Sequence, residues 1–238
     1  MLIRLKDKIK NTIYKWVPPP LVNESFSQSG EDVIVDFLFN QLGIKLPKYL
    51  EIGVCKPITG SNTYRFYKRG SNGVLVEADK SQIENIKKVR PKDHILNIGI
   101  SSGEKRNADF YIFDEKGYNT FSKEEAILRE KNSRSKIVKI ESVELKNINE
   151  ILSENFTLIP DFLSLDIEGL DFEVLKSLDY TKFTIPVICV ETCTFSENHI
   201  RPKDKRIEEF MISKGYFVYA DTYINTIFVN EYWFNNFK

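Results

Sequence analysis

Cysteine and histidine are scarce in this chain of 238 residues, at three and two, and each scarcity removes a class of explanation. Three thiols, Cys55, Cys189 and Cys193, cannot form a fully paired disulfide framework, and an odd count suits a reduced, cytoplasmic setting. Cys189 and Cys193 match no zinc-binding spacing, and two histidines leave such a site short of ligands, so the thiols read as small buried apolar groups. Neither charge is in excess: 34 lysines and arginines face 34 acids, which removes the broad positive field expected of a nucleic-acid binder. No apolar run approaches the ~18–20 residues that span a bilayer. The opening residues lack the uninterrupted apolar stretch and small-residue cleavage site of a signal peptide. Internal repeats and low-complexity tracts are also missing.

What is present suits one packed domain: 42% hydrophobic and 13% aromatic residues, in a chain long enough for a full core. The start has helical periodicity, with Leu2, Leu5, Ile9, Ile13 and Trp16 on one face and Arg4, Lys6, Lys8, Lys10 and Lys15 mostly elsewhere. That pattern fits an interfacial helix on anionic lipid, giving peripheral contact with the inner face of a membrane, or a helix docked on protein. It ends at Pro18, Pro19 and Pro20. Residues 1–22 are therefore expected to be an amphipathic helix and proline linker, and residues 23–238 the domain.

From Ser27 to Asp32, small capping residues followed by acids mark a helix start, and the helix stops near Gly43. Short apolar runs then alternate with helical patterns. Strands are expected at Tyr49–Val54, Gly73–Ala78, Ile95–Ile100, Asp161–Leu165 and Val187–Glu191. Helices are expected near Asn62–Arg69, Ser81–Val89, Ile148–Asn155, Asp171–Leu178 and Lys203–Ser213, and a final hairpin at Tyr216–Ala220 and Thr226–Asn230. Such alternation implies a parallel sheet covered on both faces. The segment Gly103–Lys146 departs from it: two strand-like stretches, Ala108–Phe113 and Lys136–Val143, surround a polar stretch, Lys123–Ser135. It reads as an insertion that either lengthens the sheet or roofs the site.

Doubly wound sheets bind ligands beyond the carboxyl ends of their strands, so the residues after each apolar run matter most. The first run delivers Glu51 and Gly53, the second Glu77, the fourth Asp166 and Glu168, and the fifth Glu191. Glycine lets backbone approach a ligand, and an acid after the second strand is the usual partner of ribose hydroxyls. The G-x-G-x-x-G turn that packs a pyrophosphate is missing, since only Gly53 and Gly60 are present. A nucleoside cofactor without a pyrophosphate therefore fits better than a dinucleotide. Asp171 is the better-placed helix cap, leaving Asp166 and Glu168 free for chemistry.

The segments SQSGEDVIVDFLF, YLEIGV, SNTYRFYKRGSNGVLVEAD, LNIGIS, YNTF, DFLSLDIEGLDFEVLKSLD and PVICVE follow in the order found in FkbM-type methyltransferases. The chain resembles that family from about Ser27 to Glu191. The resemblance implies a Rossmann-like class I α/β fold: a seven-stranded, mostly parallel sheet with helices on both faces. It also implies S-adenosylmethionine as cofactor and O-methylation of a hydroxyl, on a sugar of a surface glycan or on a polyketide. By the same resemblance Glu51, Gly53 and Glu77 contact the cofactor, Asn97 to Ser101 lie beside its adenine, and Asp166 and Glu168 face the methyl group. One motif departs: where the family usually reads Asp-Ile-Gly-Ala-Asn-x-Gly, this chain has Glu51, Ile52, Gly53, Val54, Cys55, Lys56 and Pro57.

An alcohol must lose its proton as it attacks a sulfonium methyl group, so a positioned base is needed. Asp166 or Glu168 is the expected base, with His199 as competitor and His94 structural. Asn62, Thr63, Glu191 and His199 are expected on the acceptor side. A magnesium ion held by Asp166, Glu168 and Glu191 would equally acidify the hydroxyl. The alternatives are a methyltransferase acting on another small molecule and a non-catalytic binding module of the same fold. The retained acids Glu51, Glu77, Asp166 and Glu168 argue against the latter.

Overall fold

The computed structural model describes residues 24–167, 169–193 and 202–237. The amphipathic start, the proline linker, Glu168 and His199 lie outside the described residues.

The expected alternation becomes a seven-stranded sheet. Its strands are β1 (Tyr49–Ile52), β2 (Val74–Val76), β3 (His94–Leu96), β7 (Phe162–Leu165), β8 (Val187–Glu191), β9 (Tyr216–Asp221) and β10 (Asn225–Asn230), in the order β3-β2-β1-β7-β8-β10-β9. β3, β2, β1, β7 and β8 run parallel, whereas β10 pairs antiparallel with β8 and with β9. The final hairpin thus closes one edge. Parallel strands need cover on both faces, which explains why these short runs are mostly apolar and, β3 apart, buried. One face packs Leu50, Leu163 and Ile188 against α5 (Ile148–Asn155), α6 (Asp171–Ser177) and α7 (Lys205–Ser213), through Ile151, Leu175 and Met211. The other packs Tyr49, Leu75 and Phe162 against α1 (Glu31–Gln41), α2 (Tyr64–Arg69) and α3 (Lys80–Val89), through Phe39, Phe66 and Ile86. A last helix, α8 (Glu231–Asn236), follows β10. Among the described residues no helix is long and apolar enough to cross a membrane.

Strand order turns outward on either side of β1 and β7, which makes their carboxyl ends the topological switch point where open α/β sheets bind ligands. Two local expectations change here. The acids opening α1 do more than face the helix dipole. Glu31 is fully buried and accepts from Thr222 (2.6 Å) and Asn225 (2.9 Å), and the helix is capped by Gly30 without a side-chain bond. Asp171 likewise does not cap α6; its carboxylate turns back and accepts from the amides of Ile167 and Gly169, each at 3.2 Å.

The expected third strand, Ile95–Ile100, breaks after Leu96. Gly99–Ser101 forms β4, which leaves the main sheet to pair with β6 (Ile137–Asn147); β6 in turn pairs antiparallel with β5 (Asn107–Phe113). The insertion therefore builds a second sheet, β4-β6-β5, and does not lengthen the first. Its polar middle contains a helix, α4 (Lys123–Asn132), capped by Ser122 and burying only Ala126 and Arg129. So few apolar positions give no periodic signal to read.

Candidate active site

A cavity of about 580 Å³ lies beyond the carboxyl ends of β1, β2, β7 and β8. Gly53, Cys55 and Lys56 line it from the loop after β1, Glu77 and Asp79 from the turn after β2, Asp166 and Ile167 from the turn after β7, and Glu191 from the end of β8. Phe110, Tyr118, Asn119, Thr120 and Phe121 wall it from the second sheet and its connection. The insertion is thus the roof of the site.

Gly53 is required by close approach. Its φ is +87°, and a Cβ there would sit 1.8 Å from the carbonyl oxygen of Asp166, so no side chain fits between the ends of β1 and β7. The chain then turns through Cys55, at φ +46°, aiming its amide at Glu77. Glu77 accepts from the amides of Cys55 and Asp79, each at 2.7 Å, and Asn97 fixes the same turn by donating to the carbonyls of Glu77 (2.9 Å) and Ala78 (3.1 Å). Burial raises the Glu77 pKa above the usual carboxylate value. Each of its oxygens retains lone-pair capacity for a ligand hydroxyl. Asp79, which sequence reasoning passed over, caps α3 through Ser81 and accepts from Asn119 of the roof at 3.3 Å. Cys55 is half-buried at the cavity wall, unlike Cys189 and Cys193, which are buried as expected.

Asp166 and Glu191 come from adjacent strands and are joined by a hydrogen bond between their side chains. Two carboxyls can bond in this way only by holding a proton between them. Burial, and then the negative charge of Asp171, push Asp166 up to about 7; the bond to Glu191 and the Arg129 cation oppose the rise, while Glu51 adds to it. A carboxylate with this pKa takes up and gives back a proton near neutrality.

Several expected ligand contacts lie elsewhere. Glu51 is buried on the α1–α2 face of the sheet and does not line the cavity. It accepts from Arg90 (2.9 Å), Ser61 (2.9 Å) and Thr63 (2.5 Å). Arg90, fully buried, also donates to Asp93 (2.7 Å), which accepts from the Tyr49 hydroxyl (2.8 Å), and its guanidinium stacks on the rings of Tyr49 and Tyr67. Thr63 belongs to this network, and Asn62 donates to Ser164 at 3.0 Å; neither lines the cavity. Ser101 donates to the carbonyl of Gly103 (2.6 Å), and Asn97 supports the Glu77 turn, so neither lines it either. These side chains hold the walls in place. An acid inside a strand can face either side of the sheet, and only the partner Arg90, 39 residues on, decides which.

The roof is tied to the acidic turn. Arg129 of α4 donates to the carbonyl of Tyr118 (2.9 Å) and pairs with Glu125 (2.6 Å). Gly169, at φ +99°, lies so close that a Cβ would meet a Glu125 carboxylate oxygen at 2.8 Å. The sequence signals for this wall are the YNTF segment and the strand-like stretch Ala108–Phe113, whose Phe110 lines the cavity. Among the described residues no three His, Cys, Asp or Glu side chains come together to hold a metal ion.

Four carboxyl groups, Glu77, Asp79, Asp166 and Glu191, share the lining with Lys56 and with apolar and aromatic side chains that include Ile98, Ile100, Phe110 and Phe121. That lining suits a cationic ligand with a flat, partly apolar body. Residues 51–218 match the methyltransferase FkbM domain. No curated protein matches the chain in sequence. Among solved structures it is similar to the O-methyltransferase from Bacillus cereus in complex with SAH, at 11% identity and a TM-score of 0.42, covering 94% of this chain and 88% of that one. It is also similar to a TehB-like SAM-dependent methyltransferase from Corynebacterium glutamicum, at 9% identity and a TM-score of 0.43, covering 95% and 96%. A third is the 1,6-didemethyltoxoflavin-N1-methyltransferase from Burkholderia thailandensis, at 9% and 0.40, covering 85% and 77%. At such distances nothing about this chain's ligand or substrate follows from them.

Proposed function

The chain belongs to the FkbM methyltransferase family, and on that premise we propose that it methylates a hydroxyl of a carbohydrate acceptor using S-adenosylmethionine, with Asp166 as the base. The observation that carries this reading is the Asp166–Glu191 pair at the wall of an acidic cavity on the switch point of the sheet. The cofactor, when bound, supplies an electrophilic methyl group on a sulfonium centre. The residues present fit it. Glu77 would hold the ribose hydroxyls with its remaining lone pairs, and Gly53, in the cavity lining, adds no side chain to it. Ile98, Gly99 and Ile100, of the segment expected beside the adenine, give that part of the cavity an apolar wall. The acids favour a cation.

The chain's own contribution to chemistry is a proton acceptor. Asp166, whose carboxylate accepts a hydrogen bond from protonated Glu191, takes the proton of the acceptor hydroxyl as a second proton on the pair. A base positioned in this way contributes typically ~10²–10⁴-fold. Placement of the hydroxyl contributes the rest, as in other reactions where two groups are held in line. Glycan and polyketide acceptors both fit the family resemblance; the polar lining around Asp166 favours the sugar.

The test is incubation with methyl-labelled S-adenosylmethionine and a panel of nucleotide sugars, oligosaccharides and lipid-linked glycans. The expected product carries label as a methyl ether of a sugar hydroxyl. Label appearing on an amine, or a protein that binds no S-adenosylhomocysteine by calorimetry, would overturn the reading.

A further inference from the structure

The segment 24–30, which precedes α1, is held at both ends. The Gly60 amide donates to the Phe26 carbonyl at 2.6 Å, which fixes one end to the loop after β1. Glu31 fixes the other end to Thr222 and Asn225, beside the turn between β9 and β10. Between these anchors Asp32 accepts from the Ser25 hydroxyl (2.7 Å), the Phe26 amide (2.8 Å) and the Ser27 hydroxyl (2.9 Å), and the Phe26 ring packs on Tyr64 with centroids 4.9 Å apart. Because the sheet runs β1-β7-β8-β10, a segment anchored at β1 and at β10 crosses the ends of β7 and β8, where Asp166 and Glu191 stand.

Ser27 and Gln28 of this strap line the cavity. The Ser27 hydroxyl is engaged inside the strap, donating to Asp32 and accepting from the Gly30 amide. Gln28 is exposed, and among the described residues no hydrogen bond is recorded for its side chain. We infer that Gln28 is a specificity-determining residue that binds hydroxyl groups of the acceptor, and that the acceptor is polyhydroxylated; the inference rests on the methyl-transfer reading above. An amide donates through its NH2 and accepts through its carbonyl at once, which matches a pair of neighbouring hydroxyls. Its rigid mount leaves little backbone entropy to lose on binding. The lining from the loop after β1 includes Lys56, Thr59 and Gly60, whereas the aromatic rings of the lining, Phe110, Tyr118 and Phe121, belong to the roof. That division favours a sugar ring over an aryl acceptor at the strap.

The probes are methyl glucoside, galactoside, mannoside and rhamnoside, each at millimolar concentration with the full chain and excess S-adenosylhomocysteine, read by saturation-transfer NMR. Transfer to at least one glycoside is expected with the native protein, weakened about three- to tenfold by Gln28→Ala, as for one lost hydrogen bond of ~1 kcal/mol. Gln28→Glu, which keeps the length and loses the donor, should change which glycoside is preferred. Both variants should keep the native melting curve and S-adenosylhomocysteine affinity. Equal transfer in native and Gln28→Ala proteins, or none to any glycoside while S-adenosylhomocysteine binds, would overturn the assignment. Failure of S-adenosylhomocysteine to bind the native protein would instead overturn the methyl-transfer reading.

Discussion

Replacing Asp166 with asparagine should stabilise the protein in alkaline solution while disabling it. The native side chain is half-buried, and burial, with Asp171 close by, lifts its pKa from 3.8 to about 7. Each pKa unit is worth about 1.36 kcal/mol, and water on the cavity side of the carboxyl weakens the effect, so ionising Asp166 costs the fold about 1–3 kcal/mol. The sign follows from the proton. Folded protein binds it more tightly than unfolded chain, so Asp166 contributes stability that is complete below pH 3.8 and is lost as the pH rises through about 7. Asparagine cannot ionise and can still bond to Glu191. The variant should therefore melt close to the native protein near pH 4 and several degrees higher at pH 8, at about 2–4 °C per kcal/mol for a domain of this size. Calorimetric melts across that range, without cofactor, read the difference. A gap that is constant with pH, or one of opposite sign at pH 8, would refute the argument. Methyl transfer by the variant should fall by about two to four orders of magnitude.

Glu77→Ala should weaken S-adenosylhomocysteine binding by about 1.5–3 kcal/mol, tenfold or more, with unchanged calorimetric affinity as the contrary result. Arg90→Met leaves Glu51 and Asp93 buried without their cation and should destabilise the fold by about 3–5 kcal/mol in urea titrations. A loss under about 1 kcal/mol would mean that the two acids relax to other partners. A chain beginning at Val22 retains the described contacts and should bind S-adenosylhomocysteine normally, whereas only the full chain should float with anionic vesicles; equal flotation would refute the lipid reading of Leu2, Leu5, Ile9, Ile13 and Trp16.

The seven-stranded sheet was legible because each parallel strand is a mostly apolar run of three to five residues set between helical patterns, as at Phe162–Leu165 before Asp171–Ser177. The position of the site was legible for the same reason: Gly53, Glu77, Asp166 and Glu191 each follow or end such a run, and all four line the cavity. The roof was only half legible. β5 and β6 show as β-rich stretches, but α4 buries two residues in ten and gives no stripe. Nor could the strand-end rule separate acids that line the cavity from acids that face the protein. Glu51 and Glu77 look alike in sequence, and they differ because Arg90 waits beneath one and the amides of Cys55 and Asp79 meet the other.

The charged cluster around Arg90 also bears on how the chain finds its register. β1 is an interior strand and is buried on both faces, so apolar burial distinguishes poorly between its correct alignment and one displaced by a single residue. A slip of one residue would turn Glu51 to the opposite face, into the layer of Leu163 and Val190, and leave Arg90 without it. Arg90 would keep Asp93, but the Glu51 carboxylate would be stranded in apolar surroundings. The penalty for the wrong alignment is thus electrostatic and falls on one carboxylate, which gives β1 a proofreading step that its hydrophobic neighbours cannot supply.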